Sequence, residues 1–313
     1  MCVVDAMIPV KDPDERLKKC VDRLLVQSLA IRKITLVLSI GRTWDGHNVE
    51  EWFSSEKRVE IIRMPEEDYN HGGTRHRWAK GGDAEYLLFV VQDAVPAARD
   101  LVERMIESLK DSRHAVVYAR QIPGLDCDEI ERYTRYFNYP ARSLKKTGAG
   151  LAGGGVKDCF TSNVCAAYRR DWYERIGGFE EEILLSEDSV YAAKALQAGG
   201  EAIYNADARV IHGHHYGYAT QWKRNFDIGV VHKQYDAIFG ALSAEKEGAR
   251  LVKGTALYLM RKKRARLLPR LILLSAVKLL AYQAGKHYNR LPAWLVRKWS
   301  WDKYYWRRKE NGK

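Results

Sequence analysis

Short apolar segments alternate with helix-patterned segments through the first 110 residues, and this alternation restricts the fold more than any other feature. Apolar runs at residues 3–10, 33–40, 59–63 and 86–91 have the length of β-strands, and the segment 14–27 repeats apolar residues at helical spacing. Such alternation predicts a parallel α/β sheet. In these sheets ligands bind at the carboxyl ends of the strands, so the residues that follow the runs are candidates for a site.

One acidic residue directly follows the most apolar of these strands, in the order Gln92-Asp93-Ala94-Val95-Pro96. Asp93 is therefore predicted at the mouth of the sheet, where a carboxylate can hold a hard cation. Asp is also favoured in turns. The sequence therefore equally allows a second interpretation, in which the sole role of Asp93 is to form the turn before Pro96.

Two further groups of ionisable residues stand in the second half of the chain. Glu187 and Asp188 begin a helix-patterned segment, where carboxylates are favoured by the helix dipole. His212 and His214 lie on one side of a predicted extended segment and could be metal ligands, although such a pair is more often structural. The local pattern therefore assigns neither group a chemical role.

The stretch 148–155 is too rich in glycine for a helix or a strand. It matches no phosphate-loop spacing, so we expect a mobile loop over the site. Beyond it the pattern predicts a strand at 159–168 and helices at 171–176 and 190–198.

Basic charge is confined to the end of the chain. The 313 residues carry a net charge of +12, yet residues 246–313 hold 19 Lys and Arg against three Asp and Glu, so the preceding residues are slightly acidic. A near-neutral body with a basic appendage indicates a catalytic or binding domain joined to a segment that meets an anionic surface. Nucleic-acid binding is a rival explanation, but the body has no recognition motif and we expect no nucleic-acid partner.

This basic end contains an apolar helix pattern. The run 261–266 is almost entirely Lys and Arg, the stretch 267–282 repeats apolar residues at helical spacing, and four tryptophans follow among Arg and Lys. Such a segment is typical of a protein that lies on an anionic membrane or of a helical lid packed on the body, and both can hold at once. Arg270 and Lys278 interrupt the stretch, which falls short of the roughly 20 apolar residues of a spanning helix.

Cysteine usage predicts a reduced, cytosolic compartment. The five cysteines are scattered and form no Cys-x-x-Cys pair. The first residues lack the basic region and long apolar run of a signal peptide. The sequence leaves the oligomeric state open, a homo-oligomer included.

A set of short motifs extends over nearly the whole chain. They are Asn70-His71-Gly72-Gly73-Thr74-Arg75 with Ala79, the run 87–96, Ser162-Asn163, Ala167-Tyr168-Arg169-Arg170, Ile176-Gly177-Gly178-Phe179, Glu187-Asp188, Val210 with His212 and His214, and in the tail Gly285, Tyr288, Leu291-Pro292, Trp294 and Tyr305-Trp306. In their order and spacing these motifs resemble those of the inverting family 2 glycosyltransferases, which have the GT-A fold. Within that family they resemble those of the bacterial rhamnosyltransferase-like members.

The resemblance implies an α/β fold of the GT-A type, which is a Rossmann-like mixed sheet flanked by helices. It implies a glycosyltransferase domain at 1–235 and a C-terminal basic, mostly helical extension at 236–313. It also implies transfer of a sugar, L-rhamnose from dTDP-L-rhamnose, to a polyprenyl-linked or polysaccharide acceptor at the inner face of the plasma membrane. A UDP- or GDP-sugar donor and a non-catalytic, glycosyltransferase-like binding module are the alternatives.

The resemblance also implies roles for particular residues. Asp188 would be the general base, and Asp93 would bind Mg²⁺ or Mn²⁺ with His214 or His212 as a second ligand. Arg75 would approach the donor diphosphate, since a guanidinium suits phosphate oxygens. The donor-side residues implied are Pro9, Ser39, Arg75, Gln92 and Asp93, and the acceptor-side residues are Glu187 and Trp222.

The sequence departs from the family pattern at the end of the second strand. Family members usually have an Asp-Asp-Gly-Ser-Thr-Asp type run there, whereas this strand ends in Ser39 and Ile40 and is followed by Gly41-Arg42-Thr43. The contact with the nucleotide base or ribose is therefore expected from Ser39 or Asp45.

Overall fold

The molecule is described by a computed structural model over residues 2–151, 156–213, 216–240 and 244–310. Strands and helices alternate through its first half, and the last third is helical. The strands are β1 Val4–Val10, β2 Lys33–Ile40, β3 Val59–Pro65, β4 Tyr86–Val90, β5 Val95–Pro96, β6 His114–Ile122, β7 Leu144–Lys146, β8 Cys165–Arg169 and β9 Glu201–Ile211. The helices are α1 Glu15–Leu25, α2 His47–Phe53, α3 His71–Lys80, α4 Leu101–Glu107, α5 Glu129–Asn138, α6 Gly148–Leu151, α7 Arg170–Arg175, α8 Glu187–Gln197, α9 Tyr218–Gln234, α10 Asp236–Phe239, α11 Ala244–Arg261, α12 Leu268–Lys286, α13 Ala293–Trp299 and α14 Lys303–Glu310.

These strands form one mixed sheet in the order β3-β2-β1-β4-β8-β6-β9-β5, with β7 paired to β9. The first four strands in sequence are parallel, as the alternation predicts. β8 is antiparallel to both β4 and β6, so the sheet is mixed rather than purely parallel. The mixed sheet agrees with the fold that the family resemblance implies.

Helices cover both faces of the sheet because its central strands are apolar on both sides. Leu88 and Val90 of β4 pack in a core with α1, α2 and α4. Leu87 and Phe89 of the same strand pack in a second core with α3, α7 and α8. An unbroken apolar run is therefore the pattern expected of a strand buried on both faces.

Some predicted boundaries are wrong. The strand predicted at 159–168 is confined to Cys165–Arg169. Residues Gly148–Leu151 of the predicted loop form one helical turn, and 152–155 lie outside the described residues. None of the five cysteines forms a disulfide.

A third core joins the helical extension to the body. Phe226 and Val230 of α9 pack there with Leu184 and Val190 of the body and with residues of the extension. The extension contributes Phe239, Ala281, Val296, Tyr305 and Trp306. The tail is thus packed on the body, as one of its two interpretations predicts, while the domain division at residue 235 stays a prediction.

Helix α12 lies directly against α9. A methyl group at Gly285 would collide with the carbonyl oxygen of Phe226, and one at Gly229 with that of Tyr282, so both positions need glycine at this crossing. By length and composition the segment Ala265–Lys286 could cross a membrane. The expectation that this stretch is too short is therefore wrong, because the helix extends beyond the apolar run counted in the sequence.

Candidate active site

Asp93 and His212 meet at the edge of the sheet. Asp93 follows β4 and His212 follows β9, and the antiparallel pairing of Val95 with Ile211 draws the two segments together. Asp93 Oδ1 lies 3.5 Å from His212 Nε2, and Asp93 Oδ2 lies 3.5 Å from Arg16 Nη1. Two of the three predicted metal ligands therefore lie side by side, and the third, His214, lies outside the described residues.

The amide of Gln121 orients the buried ring of His212. Gln121 Oε1 lies 2.8 Å from His212 Nδ1, while Gln121 Nε2 donates to Tyr139 Oη and to Ser162 Oγ. Because an amide oxygen only accepts, Nδ1 carries the proton and Nε2 directs a lone pair toward Asp93 when the ring is neutral. Burial lowers the pKa of His212 and so favours the neutral ring.

Asp188 lies in the first turn of α8, and two backbone N–H groups hold its carboxylate. Asn163 N donates to Oδ2 at 2.8 Å and Ser189 N donates to Oδ1 at 2.7 Å. Burial, followed by the negative charge of Glu187, raises the pKa of Asp188 to about 7. A carboxylate with this pKa can accept a proton from a hydroxyl near neutral pH.

Glu187 is the neighbour of Asp188 in sequence but has a different environment. Arg75 Nη1 lies 3.3 Å from Glu187 Oε1, and Asn163 Nδ2 donates to the same oxygen at 2.9 Å. Burial raises the pKa of Glu187, but Arg75 and His71 outweigh burial and lower it below its usual value. Glu187 is therefore an ionised partner of a buried arginine.

Arg75 is buried in that pair. Its guanidinium also donates to the backbone oxygen of His71 at 2.8 Å, and only 3% of the residue is exposed. The arginine therefore ties α3 to the start of α8. The predicted contacts of Arg75 with the donor and of Glu187 with the acceptor stay predictions.

Hydrogen bonds join the metal-binding candidates to the base candidate. Gln121, which orients His212, donates to the Ser162 hydroxyl at 3.0 Å. The next residue, Asn163, holds both Asp188 and Glu187. This series of contacts connects Asp93 and His212 with Glu187 and Asp188. Their joint role in one site stays a prediction.

The donor-side candidates lie at the same edge of the sheet. Pro9 and Ser39 stand at the carboxyl ends of the adjacent strands β1 and β2. Both polar groups of the Gln92 side chain bond to the backbone of Lys11, at 2.8 and 2.9 Å, and so join the ends of β1 and β4. Asp45 accepts from the backbone of His47 at the start of α2. Their contacts with a nucleotide stay predictions.

Trp222 lies in a different environment from the other candidates. Its ring packs edge-to-face on Trp299 at 5.1 Å, in the core between α9 and the extension. Its acceptor-side role stays a prediction.

Sequence reasoning assigned no role to Gln121 or Asn163, although both orient the site. Tyr168 Oη donates to Asn163 Oδ1 at 2.7 Å, which turns the amide nitrogen toward Glu187. Asn163 belongs to one of the motifs that carry the family resemblance, so the sequence contained a signal for it. The sequence contained no such signal for Gln121, because the role of Gln121 depends on the pairing of β6 with β9.

Asp93 and His212 fit a divalent cation that is shared with a ligand. Among the described residues no group of three or more His, Cys, Asp and Glu side chains could form a metal site. A carboxylate oxygen and an imidazole nitrogen with a defined lone pair suit Mn²⁺ or Mg²⁺ if phosphate oxygens and water supply the other ligands. The donor set therefore fits the cation that the resemblance implies.

Comparison with known proteins decides the family. Residues 5–177 match Glycosyl transferase family 2. The chain belongs to this family. It is 38% identical to the O-antigen chain rhamnosyltransferase RfbN of Salmonella typhimurium over 257 residues, which are 81% of each chain. It is 34% identical to the O-antigen chain rhamnosyltransferase WbaN of Salmonella anatum over 275 residues, which are 87% of this chain and 85% of that protein.

Solved structures agree on the fold of this family 2 glycosyltransferase. The mannosyltransferase PcManGT of Pyrobaculum calidifontis, in complex with GDP-Man and Mn²⁺, superposes with a TM-score of 0.57 at 18% identity, covering 94% of this chain and 85% of that one. TarS 1-349 of S. aureus in complex with UDP-GlcNAc superposes with a TM-score of 0.51 at 11% identity, covering 92% and 91%. The fold is GT-A, as predicted.

Proposed function

We propose that this glycosyltransferase transfers L-rhamnose from dTDP-L-rhamnose, with inversion, to a polyprenyl-linked or polysaccharide acceptor in O-antigen-type glycan synthesis. The observation that carries the proposal is the series of contacts from Asp93 through His212 and Gln121 to Ser162, and from its sequence neighbour Asn163 to Asp188. The names of the relatives RfbN and WbaN support rhamnose as the sugar.

Asp188 acts as the general base in this proposal. A hydroxyl of the acceptor attacks the anomeric carbon of the donor as its proton passes to Asp188, and the bond from that carbon to the diphosphate breaks. One displacement of this kind inverts the anomeric centre. Glu187 is unsuited to act as a covalent nucleophile because Arg75 and Asn163 hold its carboxylate, and this supports a single step.

Asp93 and His212 would hold the divalent cation, Mg²⁺ or Mn²⁺. When bound, the cation would supply positive charge that offsets the negative charge developing on the leaving diphosphate. Pro9, Ser39 and Gln92 lie beside Asp93 at the strand ends and form the donor side. Glu187 and Trp222 are assigned to the acceptor side.

The proposed place of action is the inner face of the plasma membrane, where a polyprenyl-linked acceptor is reached from the cytoplasm. The basic extension, with 19 Lys and Arg in residues 246–313, supports this placement. A homo-oligomer is compatible with the proposal but is not part of it.

Nucleoside diphosphate release from dTDP-, UDP- and GDP-sugars, with and without Mn²⁺, tests the donor and the metal. We expect turnover of dTDP-L-rhamnose that requires the cation, and an inverted linkage in the product by NMR. Asp93→Ala should abolish turnover. Gln121→Leu should weaken Mn²⁺ binding, measured by electron paramagnetic resonance with dTDP present, by about 10- to 100-fold, because His212 loses the acceptor that fixes its tautomer.

Thr134→Val is the matched control for Gln121→Leu, since its hydroxyl donates within α5, to Ile130 O. This variant should bind Mn²⁺ as the wild type does. Preference for a UDP- or GDP-sugar would replace the proposed donor. Donor and acceptor binding with no transfer, unchanged by Asp188→Asn, would favour the non-catalytic binding module instead.

A further inference from the structure

Helix α12 presents its most apolar face to solvent. Ile272, Leu273, Leu279 and Leu280 are between 50 and 66% exposed. Ile272 and Leu279 are seven residues apart, as are Leu273 and Leu280, so the four side chains form one stripe along the helix. Exposed apolar surface of this kind on a folded protein marks an interaction site.

The opposite face of α12 is fixed to the protein. Leu271, Ala281 and Gly285 are buried against neighbouring helices, and Gly285 crosses α9 at backbone contact. Arg270 Nη2 also pairs with Asp128 Oδ2 at 2.9 Å, which ties the first turn of α12 to the start of α5. The outward stripe is therefore held in place, and the helix cannot turn it inward.

Both ends of the stripe carry basic groups. Before α12, the run 261–266 contains five Lys and Arg, and every residue of the run is exposed. At the other end is an open pocket of about 360 Å³, lined by Lys233, Asp236, Lys286, His287, Asn289 and Arg290. Three of these six side chains are basic and one is acidic, and Glu245 Oε1 lies 3.7 Å from Lys286 Nζ. Basic side chains still predominate in the lining, so the pocket favours a phosphate group.

We propose that the outward face of α12 docks on an anionic phospholipid bilayer with the helix parallel to the membrane plane. The 19 residues of α12 extend over roughly 28 Å at 1.5 Å per residue, so the stripe enters the acyl region while basic groups at both ends meet lipid phosphates. The proposal deepens the proposed membrane location by naming the surface and its orientation.

A spanning orientation of α12 conflicts with its packing. If α12 crossed the bilayer, α9 would have to enter the bilayer with it, because α9 is packed against α12. Helix α9 contains Lys223, Arg224 and Asp227 along its length. Burying these charges in hydrocarbon is costly. The in-plane orientation leaves α9 on the aqueous side.

Flotation of the full-length protein with vesicles tests the surface. We expect binding to phosphatidylcholine vesicles that contain phosphatidylglycerol, and weaker binding to phosphatidylcholine alone or in high salt. Leu273→Glu with Leu280→Glu should reduce binding by about tenfold or more, because two side chains that enter the acyl region become charged. Lys286→Gln with Arg290→Gln should reduce binding only to the anionic vesicles.

Leu125→Glu is the matched control, since this leucine is fully exposed on the loop after β6 and lies outside the stripe. Wild-type binding by the stripe variant, or equal loss in the control, would overturn the proposal. So would resistance of the bound wild type to alkaline extraction, which indicates a spanning helix. A wild-type dimer that the stripe variant converts to a monomer would assign the face to a second copy instead.

The outcome is separable from that of the proposed function. The stripe variant should keep wild-type release of nucleoside diphosphate from the donor in the absence of membranes. If the wild type binds anionic vesicles but turns over no donor, the docking surface stands and the proposed function fails.

Discussion

At the scale of single residues, the site shows how the pKa values of two sequence neighbours are shifted in opposite directions. Glu187 and Asp188 share the first turn of α8, yet the pKa of Glu187 is lowered and that of Asp188 is raised to about 7. The difference arises because Arg75 pairs with Glu187, while Asp188 is half-buried and desolvated beside the negative charge of Glu187. This separation favours Asp188 as the group that exchanges a proton.

The acidity of Asp188 predicts the pH dependence of transfer. Asp188 accepts a proton only when ionised, so kcat/KM should rise with pH through about 7 and level off above it. Asp188→Asn should lower kcat by about 10²- to 10⁴-fold at every pH and abolish this limb of the profile. Initial rates across a pH series, with the donor concentration varied, measure both effects.

Stability provides the control for Asp188→Asn. A carboxyl whose pKa is raised on folding destabilises the fold as pH rises from its unfolded value, near 4, through 7. The neutral Asn should therefore leave the thermal midpoint at pH 8 equal to or above that of the wild type. A lowered midpoint would mean that lost activity reflects unfolding, and a transfer rate near the wild-type value would exclude Asp188 as the base.

At the scale of elements, local pattern predicts the parallel half of the sheet and fails where pairing is long-range. β1 to β4 each have an apolar run whose length and partners follow from the βα alternation. β6 pairs with β8 and β9, whose partner residues lie roughly 50 to 90 positions later in the chain. No local signal in the sequence identifies those partners. The predicted strand at 159–168 is shortened because the Asn163 backbone N–H donates to Asp188 and the Ser162 backbone oxygen accepts from Cys165 N in a turn, so neither group pairs with a sheet neighbour.

The same distinction applies to the site. Asp93, His212 and Asp188 were predicted because they occupy motif positions that the family resemblance covers. Gln121 acts only through the side chain that it orients, and it reaches His212 because Gln121 pairs with Val210 across β6 and β9. Groups that position other groups depend on tertiary structure, so sequence pattern finds them last.

The crossing of α9 and α12 leads to a prediction about two glycines. Gly285→Ala should lower the thermal midpoint, because the added methyl collides with the Phe226 carbonyl oxygen and forces the helices apart; overpacking of this kind costs about 1–3 kcal/mol. Gly248→Ala, in α11 with open space around it, should raise stability by up to about 1 kcal/mol through helix propensity. Differential scanning fluorimetry of both variants compares them, and equal shifts would show that the crossing is not tight.

At the scale of the whole molecule, the extension is part of the folding unit. The third core combines Leu184 and Val190 of the body with Val296, Tyr305 and Trp306 of the extension. The two groups are separated by roughly 100 residues of chain. Asp227 of α9 also accepts from the backbone of Trp301 at 2.8 Å. Membrane binding must therefore be tested with surface variants of the full chain, since removing the extension exposes this core.

One tryptophan of the extension is buried in the core and another is exposed, so substituting each in turn distinguishes the packing of the extension on the body from its exposed surface. Trp306 is 8% exposed, with its ring against Tyr288 and Tyr305, whereas Trp294 is 59% exposed. Trp306→Ala should lower the free energy of unfolding by about 3–5 kcal/mol, the cost of truncating a buried tryptophan, and Trp294→Ala should change it by less than about 0.5 kcal/mol. Urea unfolding followed by circular dichroism measures both variants. Equal effects would mean that the tail is not packed on the body, because only packing distinguishes two tryptophans twelve residues apart in one basic segment.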